Sequence, residues 1–260
     1  MKARLVAHSR VPGIGASQLT LLMKMPIELD KCQAFLDAQL RAGQPRDDAS
    51  STRLRAITIS RQAGCGASLV AERLAKLLKA RDESAMAPWT VFDRNLIEQV
   101  LKDHNLPVHF AKYLPEDRIW EIQDAMDELF GVHPSTWTVV EHTAETILRL
   151  VQMGNVILIG RGANLITARM PGVFHVRLVA PLADRIAHVQ RFYGKTQDEA
   201  RDFIGREDKG RERYLKKYFE ADLNDPLHYH LVLNTSLVSY DAAAEIIYQA
   251  ASSMSLTSVA

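Results

Sequence analysis

One stretch constrains this chain more than any other: AITISRQAGCGASLVAERLAKLL, residues 56–78. A short apolar run ends in a turn containing Gly64 and Gly66, and an amphipathic helical pattern follows. Strand, glycine turn and helix in that order form one unit of a parallel α/β sheet. Together they bring backbone N–H groups and the positive end of a helix to a point where an anion can sit. A phosphate-binding loop reads G-x-x-x-x-G-K-[ST]. Here Arg61 stands at the first glycine and Ala67 at the lysine, while Gly66 and Ser68 keep their places. The competing explanation is a plain strand-to-helix turn that needs its glycines for backbone reasons. GIGAS at Gly13–Ser17 nearly repeats GCGAS at Gly64–Ser68, but no apolar strand precedes it, so it carries no such reading.

The remaining chain continues the alternation. RAITIS (55–60), WTVFD (89–93), NVILIG (155–160), VFHVRLVA (173–180) and YHLVLNTS (229–236) read as strands. A helix is expected over about 68–80, with Leu69, Leu74, Leu77 and Leu78 as its buried stripe. A long helical stretch broken near Pro107, Pro115 and Pro134 covers 95–153. PLADRIAHVQRFYG reads as a helix with Pro181 at its start and Gly194 beyond its end. Thr196 and Glu199 then form a T-x-x-E capping box that opens the next helix. DAAAEIIYQAAS closes the series. Near-continuous apolar strands separated by helices predict an α/β fold, a doubly wound parallel five-stranded sheet covered on both faces. The polar run Arg41–Arg53 reads as a linker, so residues 1–54 form an N-terminal extension and 55–255 the main domain.

Composition narrows the function classes. With 32 basic and 31 acidic residues among 260, the net charge of +1 gives no general attraction to nucleic acid or membrane, so any anion site is local. Cys32 and Cys65 make no C-x-x-C pair, which argues against a disulfide scaffold or a cysteine zinc site and fits a reducing cytoplasm. His228 with His230, and His142 with Glu145, approach ligand spacing but lack a third partner in sequence. No apolar run approaches the roughly 18 residues of a membrane helix. Lys2, Arg4, Arg10 and Lys24 precede the first acid, Glu28, as in a targeting segment, but LTLLM is short for a signal core. Met25 as the true start is the simpler reading, with MPIELDKCQAFLDAQL as an amphipathic first helix.

Open parallel sheets bind ligands beyond the carboxyl ends of their strands. That rule selects Arg61 to Ser68, Asp93–Arg94, Gly160–Arg161–Gly162 and Asn234–Thr235–Ser236. Arginines at three of these turns suit phosphate, because the planar guanidinium grips two oxygens at once. In the basic helix, Arg206, Lys209, Arg213 and Lys216 share a face by spacing. Glu207 with Arg211 and Glu212 with Lys216 equally fit an ordinary salt-bridged surface. Cys65 reads as a small loop residue and Arg185 as structural.

The ordered segments ISRQAGCGA, VFDRNLI, VILIGRGAN, HVRLVAPLADRI, DKGRERYLKKYF and HLVLNTS resemble the cytidylate kinase-like family, a branch of the P-loop nucleoside monophosphate kinases, over roughly residues 55–252. The resemblance implies a P-loop NTPase-type fold with a helical acceptor-binding insertion (about 95–153) and a helical lid (about 196–219). In that branch the turn commonly lacks its lysine. The resemblance implies phosphoryl transfer from ATP, with Mg²⁺, to a nucleoside monophosphate, CMP or dCMP first. Gly64, Cys65, Gly66, Ala67 and Ser68 would hold the donor phosphates, Ser68 the metal, and Arg206 would assist. Asp93, Arg94, Arg161 and Asp208 would bind the acceptor substrate. Arg61, Arg161, Lys209, Arg211 and Arg213 would stabilise the migrating group, with Arg61 standing in for the lysine. Arg161 sits where cytidylate kinases have G-R-D, and the aspartate of that motif is Gly162 here, which leaves cytosine or ribose recognition without that acid. The rival expectations are a nucleotide-sensing pseudokinase and a P-loop kinase for a non-nucleotide alcohol.

Overall fold

The structure is a computed structural model that describes residues 54–81, 88–93 and 136–254. The N-terminal extension, Arg94 and most of the expected insertion lie outside the described residues. Among those residues, the elements are β1 (Ala56–Arg61), α1 (Ala67–Arg81), β2 (Thr90–Phe92), α2 (Thr136–Met153), β3 (Val156–Ile159) and a single-turn α3 (Ala163–Ile166). There follow β4 (Val173–Val179), α4 (Leu182–Tyr193), α5 (Gln197–Phe219), a 3₁₀ turn (Pro226–His228), β5 (Leu231–Asn234) and α6 (Tyr240–Ser253).

The five strands form one sheet in the order β2-β3-β1-β4-β5, and every pairing is parallel. The chain runs outward to β2 on one side of β1 and to β5 on the other. The strand order therefore reverses around β1, the position at which an open sheet leaves a crevice. Each face of β1 builds a separate core. Ile57 and Ile59 pack with Ile157, Ile159, Val176 and Leu178 beneath α1 and α6. Ala56 packs on the opposite face with Val156, Leu158, Phe92 and the α2 residues Ile147, Leu150 and Val151.

The buried stripe of α1 differs from the expected leucine set. Ala67, Val70, Ala71, Leu74 and Leu78 face inward, while Leu69 and Leu77 are half-buried. The opposing helix explains the change, since α6 presents Ala243, Ala244 and Ala251 to the same cluster. Two helices bearing small residues can approach closely, and the inward face is then set by alanines.

The helix ends follow their local chemistry. Pro181 caps α4, and Gly194 ends it in the left-handed region at φ 63°. Thr196 and Glu199 complete the capping box, with the Thr196 N–H donating to Glu199 Oε2 at 2.8 Å. No described helix is long and apolar enough to cross a membrane.

β1 and β4 also carry polar groups into the interior. Thr58 Oγ1 lies 2.8 Å from His175 Nδ1, and His175 stacks on His230 at a centroid distance of 4.9 Å. The His175 N–H donates to His230 Nδ1 at 2.8 Å. One step along, buried Arg177 donates to Ser60 Oγ and Asn224 Oδ1, both at 3.0 Å, and lies 5.7 Å from the centre of the Tyr229 ring.

Candidate functional site

The first turn is held in shape from outside. Gly64 and Gly66 both have positive φ, 81° and 77°. A Cβ at Gly64 would lie 2.7 Å from the Arg185 carbonyl oxygen, and one at Gly66 would lie 2.5 Å from the Tyr240 ring. Neither position admits a side chain, and the backbone conformation disfavours one as well. The Tyr240 hydroxyl is 2.8 Å from His188 Nδ1, and Thr235 Oγ1 donates to the Cys65 carbonyl at 2.9 Å. Asn234–Thr235–Ser236 therefore support the turn, with Thr235 making the contact. Cys65 is buried, and burial pushes its thiol up to about 11 against the opposing pull of Arg61 and Arg211. That makes it packing rather than a nucleophile. Ala67 opens α1 and is buried, whereas Ser68 is exposed in the first helical turn.

A second turn, after β3, lies beside the end of β1. Gly160, Arg161 and Gly162 have φ values of 86°, 58° and 69°, three consecutive left-handed residues. Arg161 thus sits in a conformation that costs a branched or long side chain on the order of 1–2 kcal/mol. The neighbouring glycines are enforced by contacts. The Arg61 guanidinium occupies the space a Gly160 side chain would need, and a Cβ at Gly162 would lie 2.9 Å from the Phe219 ring and 3.2 Å from Leu215. Arg61 also pairs with Asp93 at 3.8 Å, just past the end of β2. Its side chain therefore points into the crevice beside β3, while its charge is still felt at Cys65.

The end of β1 and the second turn line an open cleft. Arg61, Arg161 and Arg211 line it together with Tyr214, Leu215 and Leu223. Ser60 and Asn164 also line it. The lining thus combines three guanidinium groups with apolar surface, the make-up of a site for a small anion with a flat or apolar body.

α5 carries the basic segment, and its faces divide differently from the expected cationic stripe. Arg206, Lys209, Arg213 and Lys216 are exposed on the outer side, and Arg213 Nε reaches only the Lys209 carbonyl at 3.4 Å. Ile204, Asp208, Arg211 and Leu215 turn inward, four positions spaced four, three and four apart. Arg211 donates to Glu207 Oε2 at 2.7 Å and to Asp208 Oδ1 at 3.1 Å, so the Glu207–Arg211 pair forms as an i,i+4 bridge while still facing the cleft.

Asp208 is a clamp. Its Oδ1 accepts the Ala63 backbone N–H at 2.7 Å and its Oδ2 accepts Arg185 Nη1 at 2.5 Å. α5 is thereby fastened to the first turn and to α4. Arg185 is structural, as expected, and also donates to the Ala63 carbonyl at 3.3 Å.

The structure brings together Arg61, Arg161, Arg211 and Asp93, and ties Asp208 to the turn of Gly64, Cys65, Gly66, Ala67 and Ser68. It does not bring Arg206, Lys209 or Arg213 to the cleft, and Arg94 lies outside the described residues. Sequence reasoning overlooked Ser60, Asn164 and Tyr214. Tyr214 had a signal, since Arg211, Tyr214 and Leu215 fall on one helical face. Arg177 had one too: His175 and Arg177 alternate with apolar residues in β4, a period of two inside an otherwise apolar run.

Comparison with known proteins agrees with this architecture. A family model described as the cytidylate kinase-like family matches residues 56–237. An uncharacterised protein from Eubacterium ventriosum ATCC 27560 superposes with a TM-score of 0.57 at 18% identity, covering 77% of this chain and 99% of that one. It shares the fold. A shikimate kinase from Acinetobacter baumannii reaches a TM-score of 0.42 at 16% identity over 75% of this chain and 92% of that one, a likeness too loose to support a conclusion. A uronate isomerase from Corynebacterium glutamicum is 27% identical over 103 residues, 40% of this chain. That match spans 20% of the isomerase's own length.

Proposed function

The chain belongs to the cytidylate kinase-like family, and from that premise we propose that it transfers a phosphoryl group from ATP to a nucleoside monophosphate, CMP or dCMP first. The observation that carries this reading is the meeting of Arg61, Arg161 and Arg211 in one cleft at the end of β1. Phosphoryl transfer needs little covalent chemistry from a protein. It needs positive charge around the migrating group and donor and acceptor held in line.

The first turn fits a donor phosphate: two left-handed glycines lead into a 15-residue helix, and Ser68 is exposed in its first turn, where it would hold Mg²⁺. ATP with Mg²⁺ supplies the transferable phosphoryl group when bound. Arg161, Asp93 and Arg94 would orient the acceptor substrate. Arg61, between the two turns, would supply part of the charge that Ala67 lacks. Loss of one charge-stabilising donor costs about 10²–10³ in rate, which a nucleotide kinase can absorb. Arg206, Lys209 and Arg213 would join the site only through a movement of α5 that brings its outer face round.

Two features favour a second reading, a nucleotide-binding sensor with little turnover. They are Ala67 in place of the lysine and the Asp208 carboxylate seated on the Ala63 amide. A kinase for a non-nucleotide alcohol is the third reading. A coupled assay of ATP consumption with Mg²⁺ over a panel of monophosphates separates them. Turnover on CMP or dCMP is expected, with kcat/KM falling about 10²-fold or more in Arg161→Ala. ATP binding without turnover on any monophosphate would select the sensor or another acceptor, and a broader alcohol panel decides between those.

A further inference from the structure

Asn164 lies in the single turn of α3, two residues after Gly162, and is only 5% exposed. It lines the same cleft as the three arginines. Its Nδ2 is buried with no hydrogen-bond partner among the described residues. Buried amide donors are almost always paired, and Asn164 borders a cleft whose ligand can supply the missing acceptor once the side chain turns towards it.

The neighbours indicate which part of the ligand that is. Guanidinium groups suit phosphate oxygens, and Arg61, Arg161 and Arg211 supply three of them. Asn164 is neutral and shares the cleft with the apolar walls of Tyr214, Leu215 and Leu223. A neutral donor beside apolar surface matches a carbonyl oxygen or ring nitrogen on a flat ring. The nearby position that might otherwise read the ring is closed, because Phe219 and Leu215 fill the space at Gly162.

We infer that Asn164 selects the neutral part of the acceptor substrate: its Nδ2–H donates to a carbonyl oxygen or ring nitrogen of a planar base while the arginines hold the phosphate. This rests on the reading of the cleft as an acceptor-substrate site. A site built to hydrogen-bond a ligand group rejects analogues lacking that group, since the buried donor is then left unpaired. Asn164 is thus a specificity-determining residue.

Titration calorimetry on the full chain without ATP tests this, using CMP and ribose 5-phosphate, which keeps the sugar and phosphate but has no base. Asn164→Ala is expected to weaken CMP about tenfold and to leave ribose 5-phosphate within about twofold. Asn164→Ser, which keeps a donor, is expected to recover part of the loss, and it preserves the test if alanine unsettles the turn. Equal weakening of both ligands, or unchanged CMP affinity, overturns the inference and leaves the acceptor-site reading standing. A wild-type chain that binds neither ligand overturns both.

Discussion

At the residue scale, the most informative position is Gly162, where the family's aspartate is missing. Its φ of 69° and the Phe219 ring 2.9 Å from a built Cβ explain the glycine physically. Here the end of α5 packs onto the second turn, and an acid at 162 would have to displace it. Gly162→Asp is therefore expected to lower stability by about 2 kcal/mol, combining left-handed strain with overpacking, and to give no gain in turnover. Urea denaturation together with the kinase assay checks this. An active, fully stable variant would mean that α5 yields easily. The glycine could be read from sequence, but its cause could not, because Phe219 is 57 residues away and only the fold brings it near.

At the scale of elements, the strand–turn–helix units were legible because each has a local grammar. The strand at 56–61, the capping box at Thr196 and the glycine after α4 need no tertiary information. The facing of α5 was harder. Its charges allow two inward faces, and the cationic one is solvated. The decisive signal lay in Ile204 and Leu215, whose spacing of eleven residues marks the buried stripe that contains Asp208 and Arg211. The candidate cleft was legible as turns carrying arginine, and illegible in its walls, since Ser60 and Asn164 belong to no motif. Asp208 gives this element its test. With three donors on one carboxylate only partly exposed, Asp208→Ala is expected to cost about 3 kcal/mol, a drop of about 6–12 °C in Tm. Calorimetry reads it directly, and an unchanged Tm would show that the clamp adds little to the fold.

At the scale of the whole molecule, the polar seam between β1, β4 and β5 ties stability to pH. Burial, reinforced by the His230 charge, lowers His175 from its usual 6.5 to about 3, and burial alone lowers His230. Below pH 6.5 the unfolded chain takes up a proton that the folded chain refuses, so stability is complete above that pH and is lost as pH falls towards 3. His175 contributes a slope of about 1.4 kcal/mol per pH unit within this window, and His230 acts in the same direction. Urea midpoints at pH 7 and pH 5 are expected to fall together with this slope, and His175→Gln should flatten it. A pH-independent midpoint would show that His175 takes up its proton in the folded chain as readily as in the unfolded one.

The Asp208 clamp has a consequence that spans the molecule. The carboxylate already occupies an amide of the glycine turn, as an anion would, so a phosphate claiming that amide arrives by exchange rather than by filling an empty seat. Arg185 and Arg211 share that carboxylate, and each keeps a second acceptor in the Ala63 carbonyl and in Glu207. Turn and α5 then share one carboxylate: whatever takes the amide competes with the clamp on α5, and by reciprocity whatever loosens α5 offers the amide.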